Sequence, residues 1–134
     1  SIYKGSGLNG CYSTIIHIRK GTHVVKIPEV VSNSIVAPAN CALATMVNAV
    51  SKTKRVPKKV VVQGGGLLGV YACALLKEMG VSQIYCLEVN LGRFEIIRKF
   101  GAIPVDASDT LKATEFIQHK IGDGADVIFE VARG

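Results

Sequence analysis

The chain after Lys58 alternates between short apolar runs and longer segments of helical period. Apolar runs that predict strands lie at residues 59–63, 83–88, 102–105 and 125–131. Segments at 67–80, 91–101 and 109–121 predict helices, with Gly80 and Gly101 ending the first two and Ser108 capping the third. Because strand–helix–strand units form parallel strands with right-handed crossovers, we predict an α/β fold whose sheet has the order 3-2-1-4. This is the beginning of a doubly wound parallel sheet, with its last strands missing.

The chain before Lys58 has a different pattern. Alternation of apolar and polar residues predicts short strands at 11–19 and 23–28. Between Ser32 and Ser51 the apolar period lengthens to that of a helix, with Pro38 near its start and an Ala-rich run at 39–50. We therefore predict a short β/α piece of one domain over residues 1–51 and an incomplete Rossmann sheet over residues 52–134.

Composition limits the class of protein. The 134 residues are 49% hydrophobic and 19% charged, which is typical of a globular chain and not of a disordered one. Much of the net charge of +6 lies between Lys52 and Lys59, where no aromatic residue interleaves; we expect a solvated connection there and no nucleic-acid partner. The sequence has neither a run of eighteen apolar residues nor a basic-then-apolar leader, so neither a membrane span nor a signal peptide is expected.

The cysteines indicate the compartment. They lie at Cys11, Cys41, Cys73 and Cys86, without a C-x-x-C pair, which excludes a compact zinc ribbon within the chain. Sparse, unpatterned cysteine is typical of a reducing compartment, so we expect a cytoplasmic protein. Two of the four, Cys73 and Cys86, lie in apolar segments and are predicted to be small core residues.

The glycine run after the first of these strands is the main chemical signal. Gly64-x-Gly66-x-x-Gly69 directly follows a strand and opens a helix through Leu67 and Leu68. Gly64 allows a tight exit from the strand, Gly66 lets a pyrophosphate approach the backbone, and Gly69 lets the helix pack closely. The free N–H groups and the positive end of the helix then face the phosphate. Gly65 is not required by this pattern and is expected only to add freedom to the loop.

A carboxylate at the end of the next strand supports the same ligand. Glu88 is placed to accept hydrogen bonds from both ribose hydroxyls of an adenosine and to repel a 2′-phosphate, which favours NAD over NADP. Arg93 could reach the ribose or a phosphate, or could be an ordinary surface residue. Two alternatives remain: a glycine-rich corner that binds nothing, and a methyltransferase loop that binds S-adenosylmethionine.

Four segments together resemble the medium-chain dehydrogenase/reductase family, and in particular its zinc-dependent alcohol dehydrogenases. These segments are PANCALATMVNAV, VVVQGGGLLGVYACALLKEMG, IYCLEVNLGRFEIIRKFGA and DGADVIFEV, and the resemblance runs from about Asn9 to the last residue. It implies that residues 1–51 end a GroES-like catalytic domain with its linking helix, and that residues 52–134 begin an NAD-binding domain. It also implies hydride transfer between a small alcohol or aldehyde and the nicotinamide.

The resemblance assigns roles to individual residues. Cys41 falls where the family has its last catalytic zinc ligand, and Thr45 falls where a side chain borders the nicotinamide. Gly64, Gly66, Leu67, Leu68, Gly69, Glu88 and Arg93 fall in the dinucleotide site. Without the resemblance, Cys41 would be read as a core residue and Thr45 as a residue bonded to its own helix.

The resemblance also shows what the sequence does not contain. The family's other zinc ligands, its proton relay and its four-cysteine lobe lie upstream of this stretch, and its last two strands lie downstream. We therefore expect that this fragment is not a competent dehydrogenase alone and that zinc binding is doubtful. The alternatives are a zinc-free relative of the quinone or enoyl reductase kind, and a non-catalytic nucleotide-binding or interaction module. Strand 125–131 is expected to be an unprotected edge through which the chain self-associates.

Overall fold

A computed structural model describes residues 14–132 of the chain. They form two compact units that divide between Val31 and Ser32, whereas the predicted domain boundary followed residue 51. In the first unit, residues 14–31 contain turns but no helix or strand. The strands predicted at 11–19 and 23–28 are therefore wrong over the described residues, and residues 11–13 lie outside them. Alternation of apolar and polar residues is a context-dependent signal and does not by itself form a strand.

The second unit begins with an interrupted helix. Helix α1 spans Asn33–Val36, a π-helical turn spans Ala39–Leu43, and α2 spans Ala44–Ser51. The helix predicted over the Ala-rich run 39–50, with Pro38 near its start, is confirmed in place, although its first turn is π-helical. Pro38 separates this run from α1 because it has no N–H to donate to the preceding turn. Its carbonyl oxygen instead accepts the Ala42 N–H at 3.0 Å, which starts the next turn.

The run from Asn33 to Ser51 is also the one helical segment among residues 14–132 with the length and composition of a membrane span. Its mean hydropathy is 1.3 over the most apolar window. Met46 and Val50 of this run are buried in the core of the second unit, and 17% of the most apolar window is buried in all. Length and composition alone are thus weak support for a span.

Four parallel strands form the sheet of the second unit. They are β1 (Lys59–Gln63), β2 (Gln83–Glu88), β3 (Ile103–Asp106) and β4 (Val127–Glu130). Their order is β3-β2-β1-β4, which confirms the predicted 3-2-1-4 arrangement and the α/β fold class. Val62 on β1 lies between Cys86 on β2 and Phe129 on β4, so the carboxyl ends of these three strands meet at one edge.

Three helices connect the strands. They are α3 (Leu67–Glu78), α4 (Phe94–Lys99), which follows a 3₁₀ turn at Leu91–Arg93, and α5 (Thr110–Ile121). The prediction that Ser108 caps α5 is wrong by one residue. The Asp109 carboxylate precedes the helix directly and accepts the N–H groups of Leu111 and Lys112 at 3.1 and 3.2 Å. A side chain at the residue just before the first helical one is the one that can reach these donors.

Apolar side chains cover both faces of the sheet. Val60 and Val62 point to the face packed by α2, α3 and α4, while Val61 points to the face packed by α5. Cys73 and Cys86 are fully buried in the first of these clusters, which confirms that they are core residues. Burial on both faces explains why the central strands β1 and β2 are continuous apolar runs, and it leaves the strand ends as the place for polar chemistry.

Candidate dinucleotide site

A cleft of about 720 Å³ opens at the carboxyl ends of β1, β2 and β4. Gly64 and Gly66 line it from the loop after β1, Glu88 from the end of β2, and Thr110 and Thr114 from α5. Doubly wound sheets bind ligands at this edge, where loops from neighbouring strands leave a crevice. The size is that of an ordinary small-molecule or cofactor pocket.

The first and last glycines of the motif are fixed by close backbone contacts. Gly64 has a φ of +99°, and a Cβ there would lie 2.9 Å from the backbone N and Cα of Ala132. A Cβ on Gly69 would overlap the carbonyl oxygen of Gly64. The tight exit from β1 and the close approach of α3 therefore have the geometry that the sequence predicts.

Gly66, by contrast, faces open space. Its φ of −74° is accessible to any residue, and a Cβ there would meet only Arg93 Nη1, at 3.9 Å. Gly66 precedes Leu67 and Leu68, the first residues of α3, whose early N–H groups have no partner within the helix. The backbone at Gly66 is thus open on the cleft side, where an anion would meet the positive end of a twelve-residue helix.

Gly65 is more constrained than the sequence predicts. A Cβ there would lie 2.6 Å from Ile97 Cδ1 and 3.0 Å from Glu88 Oε2. Its backbone N–H donates to Glu88 Oε2 at 2.9 Å. The expectation that Gly65 is not required and adds conformational freedom to the loop is wrong, because at this residue the loop packs against two buried side chains.

Glu88 is buried, with 5% of its surface exposed, and carries hydrogen bonds from three donors. Its Oε2 accepts from Gly65 N–H and from Arg93 Nη1 at 3.0 Å, and its Oε1 accepts from Asn90 N–H at 2.9 Å. Burial alone would raise the pKa of this carboxyl, but hydrogen bonds from Asn90, Arg93 and Gly65 outweigh it and hold the pKa below its ordinary value. A carboxylate has about four acceptor positions, so about one remains for a ligand hydroxyl, not the two predicted.

Arg93 lies in the cleft, beside the open position at Gly66. Half of its side chain is exposed, its Nη1 pairs with Glu88, and the same nitrogen is the nearest atom to the open position at Gly66. Arg93 lines the cleft, and its predicted contact with a ligand stays a prediction. A guanidinium has five N–H donors, so donors remain for a phosphate after the bond to Glu88.

The structure does not bring Cys41 and Thr45 into this cleft. Cys41 is exposed in the π-helical turn, and the Thr45 hydroxyl donates to the Cys41 carbonyl oxygen at 2.6 Å. Thr45 is therefore bonded to its own helix. Within residues 14–132, no group of three or more histidine, cysteine or acidic side chains is placed to hold a metal ion. Because a catalytic zinc needs three protein ligands, Cys41 does not form a zinc site with the described residues.

Four other residues that line the cleft were not predicted from the sequence. Gln63 ends β1, Glu130 ends β4, and Thr110 and Thr114 lie one turn apart on α5. The two strand-end residues could have been found, because parallel strands place their carboxyl ends at the ligand edge. The threonines had no such signal, since their placement depends on how α5 packs against the sheet.

No family model matches the sequence. The chain is 34% identical over 110 residues to (R,R)-butanediol dehydrogenase of Bacillus subtilis. The aligned residues cover 79% of this chain and 31% of that protein. The chain is 30% identical over 113 residues to alcohol dehydrogenase-like 7 of Arabidopsis thaliana, covering 81% of this chain and 29% of that protein. The chain thus spans about three tenths of the length of these curated relatives.

Solved structures agree with the sequence relatives. The 2R,3R-butanediol dehydrogenase of Bacillus subtilis matches with a TM-score of 0.69 and 32% identity, over 81% of this chain and 31% of that one. An alcohol dehydrogenase from Escherichia coli CFT073, complexed with NADH, matches in fold with a TM-score of 0.68 and 21% identity, over 82% and 33%. The fold is therefore that of the Rossmann-type α/β proteins. The chain is related to the medium-chain dehydrogenase/reductase family and resembles its zinc-dependent alcohol dehydrogenases.

Proposed function

We propose that this chain is the NAD-binding part of an oxidoreductase that transfers a hydride between an alcohol or aldehyde carbon and the nicotinamide. The observation that carries this proposal is the convergence of four features on one cleft. The open backbone at Gly66, the start of α3 and the half-exposed Arg93 lie together, and the buried Glu88 carboxylate lies beside them.

Each feature suits one part of a dinucleotide. The start of α3 supplies unpaired N–H groups and a positive helix end for the pyrophosphate, and Gly66 leaves the backbone open to it. Arg93 adds a full positive charge at the same place. Glu88 keeps its negative charge at neutral pH and would repel a 2′-phosphate, so NAD is preferred over NADP.

The relatives support the reaction class. Those described above are a butanediol dehydrogenase and alcohol dehydrogenases, and one solved neighbour contains NADH. Nicotinamide, when bound, accepts or gives the hydride, and the protein's part is to bind and orient it. Small alcohols or aldehydes are the proposed substrates. We derive no step through zinc, since Cys41 has no second or third ligand among residues 14–132.

Calorimetric titration of the full chain with NADH, NADPH and S-adenosylmethionine, in parallel, tests the proposal. We expect NADH to bind in the micromolar range, NADPH to bind much more weakly, and S-adenosylmethionine not to bind. Binding of S-adenosylmethionine alone would assign the loop to a methyltransferase. Binding of none of the three would mean that the glycine run only turns the chain.

A matched pair of arginine variants locates the binding. Arg93→Gln removes the guanidinium at the cleft, and loss of a charge-assisted hydrogen bond predicts NADH affinity about 10- to 100-fold weaker. Arg98→Gln removes the same charge from α4, where Arg98 lies over the Phe94 ring, and is expected to bind like the wild type. Equal losses in both variants would show a general charge effect and contradict the assignment.

A further inference from the structure

We propose that Gly65 and Ile97 are positioning residues of the dinucleotide loop: together they set how deeply the loop sits on the Glu88 carboxylate, and therefore where Gly66 presents its backbone. The part of this inference that concerns binding rests on the proposed function.

The loop is tied to the end of β2 by two consecutive backbone amides. Gly64 N–H donates to the Leu87 carbonyl oxygen at 2.8 Å, and Gly65 N–H donates to Glu88 Oε2 at 2.9 Å. These bonds hold the loop against the end of β2. The position of the loop, and with it the position of Gly66, therefore depends on the residues at the end of β2.

Packing below the loop leaves no room at residue 65. A Cβ there would lie 2.6 Å from Ile97 Cδ1, 3.0 Å from Glu88 Oε2 and 3.2 Å from Glu88 Cβ. Ile97 is fully buried and Glu88 nearly so, so neither side chain can turn into solvent. A methyl group at residue 65 must therefore lift the loop or push Ile97 into a packed core.

Lifting the loop would affect binding as well as stability. It would lengthen the bond from Gly65 to Glu88, leave a buried carboxylate oxygen with one donor fewer, and move Gly66 at the start of α3. The closest obstacle is the terminal Cδ1 of Ile97, which is the methyl group that valine lacks. Residues 65 and 97 should therefore be coupled through a single methyl group.

A double-mutant cycle with Gly65→Ala and Ile97→Val measures this coupling on the full chain, through the Kd for NADH well below the melting temperature of every variant. Gly65→Ala should weaken NADH binding about 10-fold, which lies within the usual range for residues in contact. Ile97→Val should bind within about threefold of the wild type. The double variant, which adds one methyl and removes another, should bind NADH more tightly than Gly65→Ala but less tightly than Ile97→Val, because the contacts of the new Cβ with Glu88 at 3.0 and 3.2 Å remain.

Two glycine variants separate positioning from ordinary destabilisation. Gly66→Ala meets only Arg93 Nη1 at 3.9 Å, so it should keep the melting temperature while weakening NADH binding. Gly101→Ala, at a φ of +84° and with a Cβ 2.8 Å from Lys77 Cγ, should lower the melting temperature while keeping the Kd. A loss of affinity in Gly101→Ala as large as in Gly65→Ala would overturn the inference.

The other possible outcomes of the double-mutant cycle also test the inference. If the double variant binds as weakly as Gly65→Ala, or if Gly65→Ala binds like the wild type, the inference is wrong. If even the wild type does not bind NADH, the proposed function fails. Backbone amide exchange then tests only whether Gly65 and Ile97 set the position of the loop on Glu88. Exchange at residue 65 should be slow in the wild type, fast in Gly65→Ala and slower again in the double variant; unchanged exchange in Gly65→Ala would overturn the inference without any ligand.

Discussion

Replacing Glu88 by glutamine changes the charge of the site while nearly keeping its shape. The carboxylate accepts from Gly65, Asn90 and Arg93, and it is 5% exposed. Glutamine has one acceptor oxygen and one NH₂ donor group in place of two acceptor oxygens. If the amide oxygen faces Gly65 and Arg93, the NH₂ group faces the Asn90 N–H, and two donors then oppose each other.

The expected loss of unfolding free energy is about 2 kcal/mol. Leaving a buried donor without its acceptor costs about 1–3 kcal/mol. The ion pair contributes only about 0–1 kcal/mol more, because Arg93 is half-exposed and solvent screens it. Glu88→Gln should therefore unfold at lower urea concentration than the wild type, with the m-value unchanged.

The difference should depend on pH in a defined direction. Because the pKa of Glu88 is lower in the folded chain than its ordinary value of 4.5, the carboxylate stabilises the fold fully above that pH. This contribution is lost as the pH falls through the folded pKa. The gap between wild type and Glu88→Gln should thus be complete at pH 7 and should narrow below pH 4.5.

Urea unfolding followed by far-ultraviolet circular dichroism measures both effects in a chain that has no tryptophan. Glu115→Gln, an exposed position on α5, removes the same charge and should stay within about 0.5 kcal/mol of the wild type. A gap at pH 7 no larger than that of Glu115→Gln would refute the reasoning. So would a gap that stays constant as the carboxylates titrate.

Three further outcomes are expected. Gly69→Ala places a Cβ on the Gly64 carbonyl oxygen, an overlap of backbone with no easy relief, and should cost about 3 kcal/mol or prevent folding, as measured by circular dichroism. Asp109→Ala should lower the melting temperature and Ser108→Ala should do so much less, because Asp109 caps α5; equal effects would contradict that cap. Ile128 is 61% exposed on the edge strand β4, so sedimentation should show self-association that Ile128→Lys reduces, and a monodisperse wild-type monomer at high concentration would contradict this.

The sheet could be predicted because its signals are local. The central strands are continuous apolar runs between helices of clear period, and the connection rules then leave few topologies. The motif from Gly64 to Gly69 was equally readable, because its spacing reflects the local contact of Gly69 with the Gly64 backbone, although Gly64 itself contacts the distant Ala132.

What failed depends on contacts distant in the sequence. The close packing at Gly65 is made by Ile97 and Glu88, which contact the loop only in the folded chain. The strands predicted before residue 29 failed over residues 14–28 because alternation of apolar and polar residues is a context-dependent signal that an irregular segment can also carry. The acceptor capacity of Glu88 was overestimated because the backbone N–H of Asn90, a near neighbour in the sequence, and the backbone N–H of the distant Gly65 both donate to its carboxylate.

The most direct test of the account is a map of where NADH binds, by nuclear magnetic resonance of the backbone amides during titration. The account predicts saturable shifts at Gly64, Gly65, Gly66 and the first residues of α3, together with the Arg93 side chain. Residues 14–31, which form a separate compact unit, should shift much less. Saturable binding whose largest shifts lie away from the glycine loop, or no shifts at all, would contradict the central claim.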